Sequence, residues 1–217
     1  MSSIENYNPD FFTPSSLEDA KRIVLGYGIT ESPHKWEVET KWNMSLFREN
    51  EFLSSSSIVL DWGTGIGRLA KAMIETFGCT VVGVDINETM REYATSYVNH
   101  RNFSTMSVEE LKISNLKFTN VTASWVLQHS IDVDADVRTI LNHLDHNGNF
   151  FIFEGKYRCI PILVDEKPVW RNSSETNFNL INKSFTLLKH GVFPPHFDVP
   201  ENTNSWWGFF KNNRRKI

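Results

Sequence analysis

The sequence predicts an α/β fold in which helices cover both faces of a mostly parallel sheet. Between Ile58 and Phe153, short apolar runs alternate regularly with stretches whose apolar residues recur at helical spacing. The first run, Ile58–Asp61, leads into a glycine-rich turn and then into a helical pattern that begins at Arg68. Alternation of this kind is typical of parallel sheets with helices packed on both sides.

Length and composition are those of one globular domain. The chain has 217 residues, of which 40% are hydrophobic and 13% aromatic, which is enough for a sizeable core. A formal charge of −4 gives no overall basic field, so we expect no nucleic-acid partner. The two cysteines, Cys79 and Cys159, are too few for a disulfide framework or a zinc site, and they fit a reducing compartment.

The sequence also lacks the patterns of secreted and membrane proteins. Its N-terminus has neither a basic nor an apolar signal region, and no apolar run approaches the ~20 residues that span a bilayer. We therefore expect a cytoplasmic location and no membrane partner. The basic tail Lys211–Lys216 is interpreted as a solvated chain end.

Two helices are predicted before the first strand. The first runs from Ser16 to Leu25 and is ended by Gly26, and the second runs from about Lys35 to Phe52. The serine run 54–57 is too short for a domain linker. Residues 1–53 are therefore predicted to form an N-terminal helical cap on a single domain that spans 1–217.

Residues 54–155 are predicted to form the core of this domain. Its strands are expected at Ile58–Asp61, Thr80–Val84, Phe103–Met106, Val121–Trp125 and Phe150–Phe153. The helices between them carry their own start and stop signals. These signals are the terminating Gly78, the cap Asn87, the capping box Ser107–Glu110 and the turn His146–Asn149.

In the last part of the chain, residues 156–217, the regular alternation of strands and helices stops. We predict an irregular segment over Tyr157–Asn177 and a helix over Leu180–His190. Two short strands near His196–Val199 and Ser205–Phe210 are expected to form an antiparallel hairpin on one edge of the sheet.

The turn after the first strand is the strongest functional signal. Glycines recur at 63, 65 and 67 with an acid, Asp61, two residues before them, and Asp85 follows at the end of the second strand. A carboxylate at this second position is suited to bind the two hydroxyls of a ribose. Dinucleotide sites use the spacing G-x-G-x-x-G, and a carboxylate beside a pyrophosphate is repulsive. Spacing and charge together therefore favour S-adenosylmethionine over a dinucleotide.

The chain resembles the class I S-adenosylmethionine-dependent methyltransferase family over roughly residues 55–155. The segments that carry the resemblance are Val59–Ala70, Val82–Ile86, Trp125–His129 and Leu144 followed by Gly148. The resemblance implies a Rossmann-like, doubly wound, seven-stranded sheet with a reversed last strand, and S-adenosyl-L-methionine as cofactor. The implied cofactor contacts are Asp61, Trp62, Gly63, Thr64, Gly65, Gly67, Asp85, Ile86, Ser107, Val108, Ser124 and Trp125.

Ser107 departs from the family pattern, which often has an acid there for the adenine amino group. Capping of the following helix explains this serine equally well. Trp62 is bulky for its place between the acid and the first glycine, which suggests repacking beneath the loop.

The predicted reaction is in-line transfer of the sulfonium methyl group to an O or N acceptor, mainly through alignment and exclusion of water. His129 and Glu154 are the candidate general bases. A hydrogen-bonded structural role for His129, and a solvated or Lys156-paired role for Glu154, are the alternatives.

The acceptor is expected to be a small and possibly anionic molecule. Trp36, Tyr157 and Arg158 are the candidate contacts to it, although packing explains each of them as well. One other function stays open: a regulatory or partner-binding protein that binds S-adenosylmethionine without methyl transfer. A nicotinamide-dependent oxidoreductase would require tight dinucleotide binding, which Asp61 and the short glycine spacing disfavour. No metal is expected.

Overall fold

The computed structural model describes residues 7–25, 33–197, 199, 202 and 204–213. The predicted helix end at Gly26 and the tail residues 214–217 lie outside this part of the chain. The strands are β1 Ile58–Trp62, β2 Thr80–Val84, β3 Phe103–Met106, β4 Phe118–Ser124, β5 Leu144–Gly155, β6 Cys159–Val164, β7 Lys167–Asn172, β8 Thr186–Gly191 and β9 Ser205–Lys211. The α-helices are α1 Leu17–Leu25, α2 Pro33–Glu49, α3 Arg68–Phe77, α4 Glu88–Val98, α5 Val108–Ile113, α6 Val133–His143 and α7 Phe178–Ser184.

Seven of these strands form one sheet in the order β3-β2-β1-β4-β5-β9-β8. Strands β1 to β5 pair in parallel, whereas β9 is antiparallel to both of its neighbours, β5 and β8. The predicted mostly parallel, seven-stranded sheet with a reversed last strand is confirmed. The order reverses at β1, where β2 lies on one side and β4 on the other.

Strand β5 shows how both faces of the sheet are buried. Successive side chains of a strand point to opposite faces. Phe151 and Phe153 accordingly belong to one apolar core, which also contains Trp42 and Phe47 of α2, and the Phe47 and Phe151 rings lie 4.8 Å apart. Phe150 faces the other core, on the side of α6 and α7. Helix α2 therefore packs directly on the sheet.

Two central strands are longer than predicted. Strand β4 begins at Phe118, three residues before the predicted Val121. Strand β5 begins at Leu144 because the predicted turn His146–Asn149 lies inside it as an irregularity, where the register jumps from Leu144 to Asn149. Asn147 has φ +63, so this stretch keeps the backbone of a turn.

The predicted irregular segment over Tyr157–Asn177 is wrong. Its residues form a separate antiparallel hairpin of β6 and β7. The turn consists of Asp165 and Glu166, which have φ +48 and +60. Hairpin turns with positive φ usually carry Asn-Gly or Asp-Gly, and this pair lacks that signal.

The predictions for the segment after this hairpin also need correction. The helix expected over Leu180–His190 ends at Ser184, and strand β8 follows it. The predicted strand His196–Val199 is replaced by a short 3-10 turn over Pro195–Phe197. The edge hairpin exists, but β8 rather than this segment pairs with β9. The β8 segment is extended because it pairs with β9, and strand preference depends strongly on the pairing partner.

Candidate active site

A cavity of about 790 Å³ lies outside the carboxyl ends of β1, β2 and β4. This is the position at which open α/β sheets bind ligands, next to the point where the strand order reverses. Its volume is near the upper end of the range for small-molecule sites, about 300–1,000 Å³.

The glycine turn after β1 wraps around the end of β2. The N–H groups of Gly63 and Thr64 donate to the Val84 carbonyl at 2.8 and 3.0 Å. Gly63 has φ +70 and Gly65 has φ +54, a backbone region that residues with a Cβ rarely adopt. A Cβ on Gly63 would also lie 2.3 Å from Cγ2 of Val126. The turn therefore presents bare main chain to the cavity.

The Asp61 carboxylate is held at the base of the cavity by two hydroxyl groups. Thr64 Oγ1 and Thr122 Oγ1 donate to its two oxygens, each at 2.7 Å. Its side chain is only 3% exposed, and this burial raises the pKa of the carboxyl group. Asp61 and Thr122 are neighbours because β1 and β4 pair in register at these residues.

The Asp85 carboxylate joins the second strand to the glycine turn. Its oxygens accept the N–H groups of Gly65 at 2.9 Å and of Asn87 at 3.0 Å. Burial raises the pKa of this carboxyl group too. A carboxylate has about four acceptor positions, so capacity for ligand hydroxyls remains. The adjacent Ile86 lines the cavity and is 56% exposed, which leaves an apolar surface open to a ligand.

Ser124 provides the test of whether the cavity fits a polar ligand. Its Oγ is buried, has no hydrogen-bond partner in the described part of the chain, and belongs to the cavity wall. Buried hydroxyls are nearly always hydrogen-bonded, so this atom calls for a ligand or water partner. Together with the bare glycine turn and the remaining capacity of Asp85, it fits a ligand such as S-adenosylmethionine.

Glu39 of α2 fixes two residues of the cavity wall and was not predicted. Its carboxylate forms a buried ion pair with Arg68 at 2.5 Å and accepts the indole N–H of Trp125 at 3.0 Å. Asn202 donates to its second oxygen at 3.1 Å. Trp125 has φ +57, so the Glu39 contact helps to hold it in an unusual backbone conformation.

Two of the predicted cofactor contacts lie outside the cavity wall. Gly67 has φ +78, and a Cβ there would lie 2.5 Å from Cγ2 of Val98, so this glycine allows α3 and α4 to pack. Ser107 caps α5: its hydroxyl accepts the Glu110 N–H at 3.1 Å, and Glu110 accepts the Ser107 N–H in return. The other predicted contacts line the cavity, namely Asp61, Trp62, Gly63, Thr64, Gly65, Asp85, Ile86, Val108, Ser124 and Trp125.

Residues 60–152 match the family model described as "Methyltransferase domain". Residues 60–152 therefore form a methyltransferase domain. S-adenosylmethionine is the cofactor that the glycine spacing and the two acids predict for this domain. A search of curated protein sequences found no match.

Solved structures of known proteins share this fold. Magnesium protoporphyrin IX methyltransferase from Synechocystis PCC 6803 with bound SAH is 16% identical, with a TM-score of 0.64 over 93% of this chain and 96% of that one. A SAM-dependent methyltransferase from Aquifex aeolicus is 14% identical, with a TM-score of 0.63 over 90% and 98%. A complex with the Haloferax volcanii Trm112 methyltransferase activator contains a chain that is 13% identical, with a TM-score of 0.62 over 85% and 94%.

The methyltransferase cavity has a second part beyond the glycine turn, which we call the acceptor lobe. It lies between the 3-10 turn Pro9–Phe12, the loop after β4, the start of α6 and the β6–β7 hairpin. The N-terminal segment is joined to the hairpin, since the Asn8 N–H donates to the Pro161 carbonyl at 3.1 Å. The residues that define the lobe are Phe12, His129, Ser130, Asp136, Cys159 and Trp170.

His129 lines the acceptor lobe, but both of its ring nitrogens are engaged. Nδ1 lies 2.7 Å from the Cys159 carbonyl, which can only accept, so this nitrogen carries the proton. Nε2 then accepts from the Gln128 amide at 2.9 Å. Burial lowers the pKa of His129 to about 4. The geometry favours the structural histidine over the general base.

The second candidate base, Glu154, does not lie in the cavity. Its side chain is 1% exposed and does not line the cavity. Its Oε2 lies 3.3 Å from the Asn177 amide, which donates to it, and burial raises the pKa of the carboxyl group to about 8. The solvated and Lys156-paired interpretations are also wrong, because the carboxyl group is enclosed beneath the acceptor lobe.

None of the three candidate acceptor contacts lines the cavity. The Trp36 ring packs 6.1 Å from that of Tyr97, which is the packing role considered from the sequence. Tyr157 is 49% exposed, and the Lys156 ammonium group lies 5.2 Å from the centre of its ring. Arg158 is occupied by Glu175 at 2.9 Å and by the Ser130 carbonyl at 2.6 Å.

Apart from His129, sequence reasoning missed the residues that form the acceptor lobe, because they come from segments far apart in the chain. Phe12 precedes the first helix, and Trp170 belongs to a hairpin that was not predicted. Asp136 lies in a helix that was predicted, where it reads as an ordinary first-turn acid. No local signal distinguishes it from the exposed Asp134 of the same turn.

Among the described residues, none of the helices combines the length and apolar character that crossing a bilayer requires. In the same part of the chain, histidine, cysteine and acidic side chains form no cluster of three or more suited to a metal ion.

Proposed function

We propose that the protein transfers a methyl group from S-adenosylmethionine to an oxygen or nitrogen atom of a small molecule held in the acceptor lobe. The observation that carries this proposal is the single cavity volume of about 790 Å³, which includes both the glycine turn and the acceptor lobe. A small acceptor and the cofactor would therefore share one enclosed space, as direct transfer requires.

The cofactor contacts follow from the geometry of the turn. Asp61 and the main chain of Gly63 and Gly65 would hold the methionine part, and the unpartnered Ser124 hydroxyl lies beside them. Asp85 would accept the ribose hydroxyls, and Ile86 would cover one face of the adenine.

The bound cofactor supplies a methyl group on a positively charged sulfur. The acceptor lone pair forms the new bond to this carbon while the carbon–sulfur bond breaks and its electron pair stays on sulfur. An oxygen or nitrogen acceptor also loses one proton. The protein's part is to align the two molecules and exclude water, which contributes on the order of 7–11 kcal/mol in well-oriented reactions.

Calorimetry with S-adenosylhomocysteine and NAD, side by side, tests the cofactor contacts. We expect binding of the first compound alone, and Asp85→Asn should weaken it about tenfold or more because a charged acceptor is lost. Glu88→Gln is the matched control, since Glu88 is an exposed acid in the first turn of α4. Unchanged affinity of the Asp85 variant would contradict the assigned role.

Methyl transfer itself is tested by measuring release of S-adenosylhomocysteine with a panel of small amines, alcohols, phenols and carboxylates. Turnover of at least one class, with a product heavier by one methyl group, is the expected result. Cofactor binding without turnover of any class would instead favour a binding protein.

A further inference from the structure

We propose that the acceptor is an amine, bound in its charged form by the Asp136 carboxylate and the aromatic rings of the acceptor lobe. This inference rests on the proposed function and names the substrate class of the same site. It replaces the anionic acceptor expected from the sequence, because Arg158 is paired with Glu175 and the Ser130 carbonyl and does not line the cavity.

Aromatic rings form one wall of the acceptor lobe. The rings of Phe12 and Trp170 lie 6.1 Å apart, and that of His129 lies 5.5 Å from Phe12 and 5.0 Å from Trp170. His129 is neutral around pH 7, because its pKa is lowered to about 4, so it does not repel a cation. Aromatic faces attract ammonium groups by about 0.5–2 kcal/mol.

Asp136 supplies the negative charge in the acceptor lobe. One of its oxygens accepts the Ser130 hydroxyl at 2.6 Å, which orients the carboxylate. The Tyr7 phenol also lines the cavity. Burial is the main cause that raises its pKa, and the nearby Asp136 and Asp85 raise it further. Tyr7 is therefore near both the acid of the cofactor part and the acid of the acceptor lobe.

The cationic side chains of the cavity wall do not offer a better site for an anion. In the described part of the chain they are Lys35, Arg68 and Lys112. Lys35 donates to the Leu25 carbonyl at 2.8 Å, and Arg68 is paired with Glu39. Burial raises the pKa of the Asp136 carboxyl group and the neighbouring Asp132 raises it further, whereas the Ser130 hydrogen bond and Lys112 of α5 act in the opposite direction.

Acidic groups therefore outnumber the available cations around the acceptor lobe. An anionic acceptor would be placed beside Asp132 and Asp136, whereas an ammonium group would be attracted to both. Before transfer, the ammonium group passes one proton to the Asp136 carboxylate, and the freed nitrogen lone pair then forms the bond to the methyl carbon.

Three probes that share one aromatic body and differ only in the head group test this inference: phenethylamine, phenethyl alcohol and hydrocinnamate. Their affinities for the complex of the protein with S-adenosylhomocysteine are measured by calorimetry. We expect the amine to bind at least about tenfold more tightly than the other two, since a hydrogen bond to a charged group contributes more than a neutral one.

The variants Asp136→Asn and Asp134→Asn form a matched pair in one helical turn, and Asp134 is exposed. Asp136→Asn should weaken amine binding about tenfold to a hundredfold and leave the alcohol unchanged, whereas Asp134→Asn should change neither. Affinity for S-adenosylhomocysteine reports whether each variant keeps the cofactor part intact.

Equal or tighter binding of the alcohol or carboxylate, failure of the amine to bind, or equal effects of the two variants would overturn the amine assignment. Asp136-dependent amine binding without methyl transfer to any compound would contradict the proposed function and leave the amine site standing. Turnover of alcohols alone would overturn the amine assignment and leave the proposed methyl transfer standing.

Discussion

The two parts of the cavity are built in opposite ways. The cofactor part comes mainly from one continuous stretch between β1 and the start of α5, in which each strand ends in a turn that already contains its functional residues. The acceptor lobe is assembled from the N-terminal segment, the loop after β4, α6 and the β6–β7 hairpin. The difference teaches that local patterns encode the cofactor part, whereas long-range packing creates the acceptor lobe.

The largest effect should come from a change in the glycine turn. Gly63→Ala places a Cβ in a left-handed conformation, which costs about 1–2 kcal/mol, and adds a clash with Val126 that costs about 1–3 kcal/mol more. We expect a clear loss of melting temperature and of S-adenosylhomocysteine affinity.

Gly78→Ala is the control for that change. Gly78 has a similar φ of +71, but the nearest atom to its added Cβ would be 3.8 Å away. This variant should lose only about 1–2 kcal/mol of stability and keep its cofactor affinity. Equal affinity losses in both variants would show that strain, rather than the close approach to Val126, makes the turn sensitive.

The second prediction concerns the buried acid beneath the acceptor lobe. The pKa of Glu154 is raised from 4.5 to about 8, so its contribution to stability is present below pH 4.5 and is lost as the pH rises through 8. The pKa of His129 is lowered from 6.5 to about 4, so its contribution is lost as the pH falls from 6.5 through 4. The two slopes oppose each other between pH 4.5 and 6.5, and Glu154 alone acts above 6.5.

Denaturant unfolding at several pH values measures this effect. Wild-type protein should lose about 1.4 kcal/mol per pH unit through Glu154 between pH 6.5 and 8, about 2 kcal/mol in all. Glu154→Gln should remove that decline, and the difference between the two proteins isolates this group from the other buried carboxyls. Parallel stability curves would mean that Glu154 is ionised in the folded protein.

The third prediction separates the two parts of the cavity directly. Trp170→Ala removes the ring that contacts Phe11 at 4.6 Å, Phe12 at 6.1 Å and His129 at 5.0 Å. Since Trp170 is half-buried, we expect the free energy of unfolding to fall by about 2 kcal/mol. Amine binding should become weaker, and the affinity for S-adenosylhomocysteine should not change. Loss of cofactor affinity would show that the two parts are coupled.

The smallest effect is expected at Ser107. Ser107→Ala removes a helix cap and should cost about 1 kcal/mol of stability, seen in thermal unfolding. Its hydroxyl does not line the cavity, so cofactor affinity should not change. A tenfold loss of cofactor affinity would instead support the adenine contact that the family resemblance implies for Ser107.

Much of the core was predictable because its signals are local. The cap at Asn87, the terminating Gly78 and the capping box at Ser107 all act as expected. The mostly parallel sheet with a reversed strand follows from the regular strand–helix alternation and the terminal hairpin. Prediction failed where the turn lacked its usual residues, at Asp165 and Glu166, and where β8 needs β9 beside it.

The sequence by itself determined the fold class, the glycine turn, Asp61 and Asp85, and from these the cofactor, because spacing along one strand–turn–helix unit sets their arrangement. Only the tertiary structure decided that Glu154 is buried, that both nitrogens of His129 are engaged, and that Asp136 lines the same cavity as the aromatic rings. Those properties depend on which distant segments exclude water from each side chain, and no local spacing contains that information.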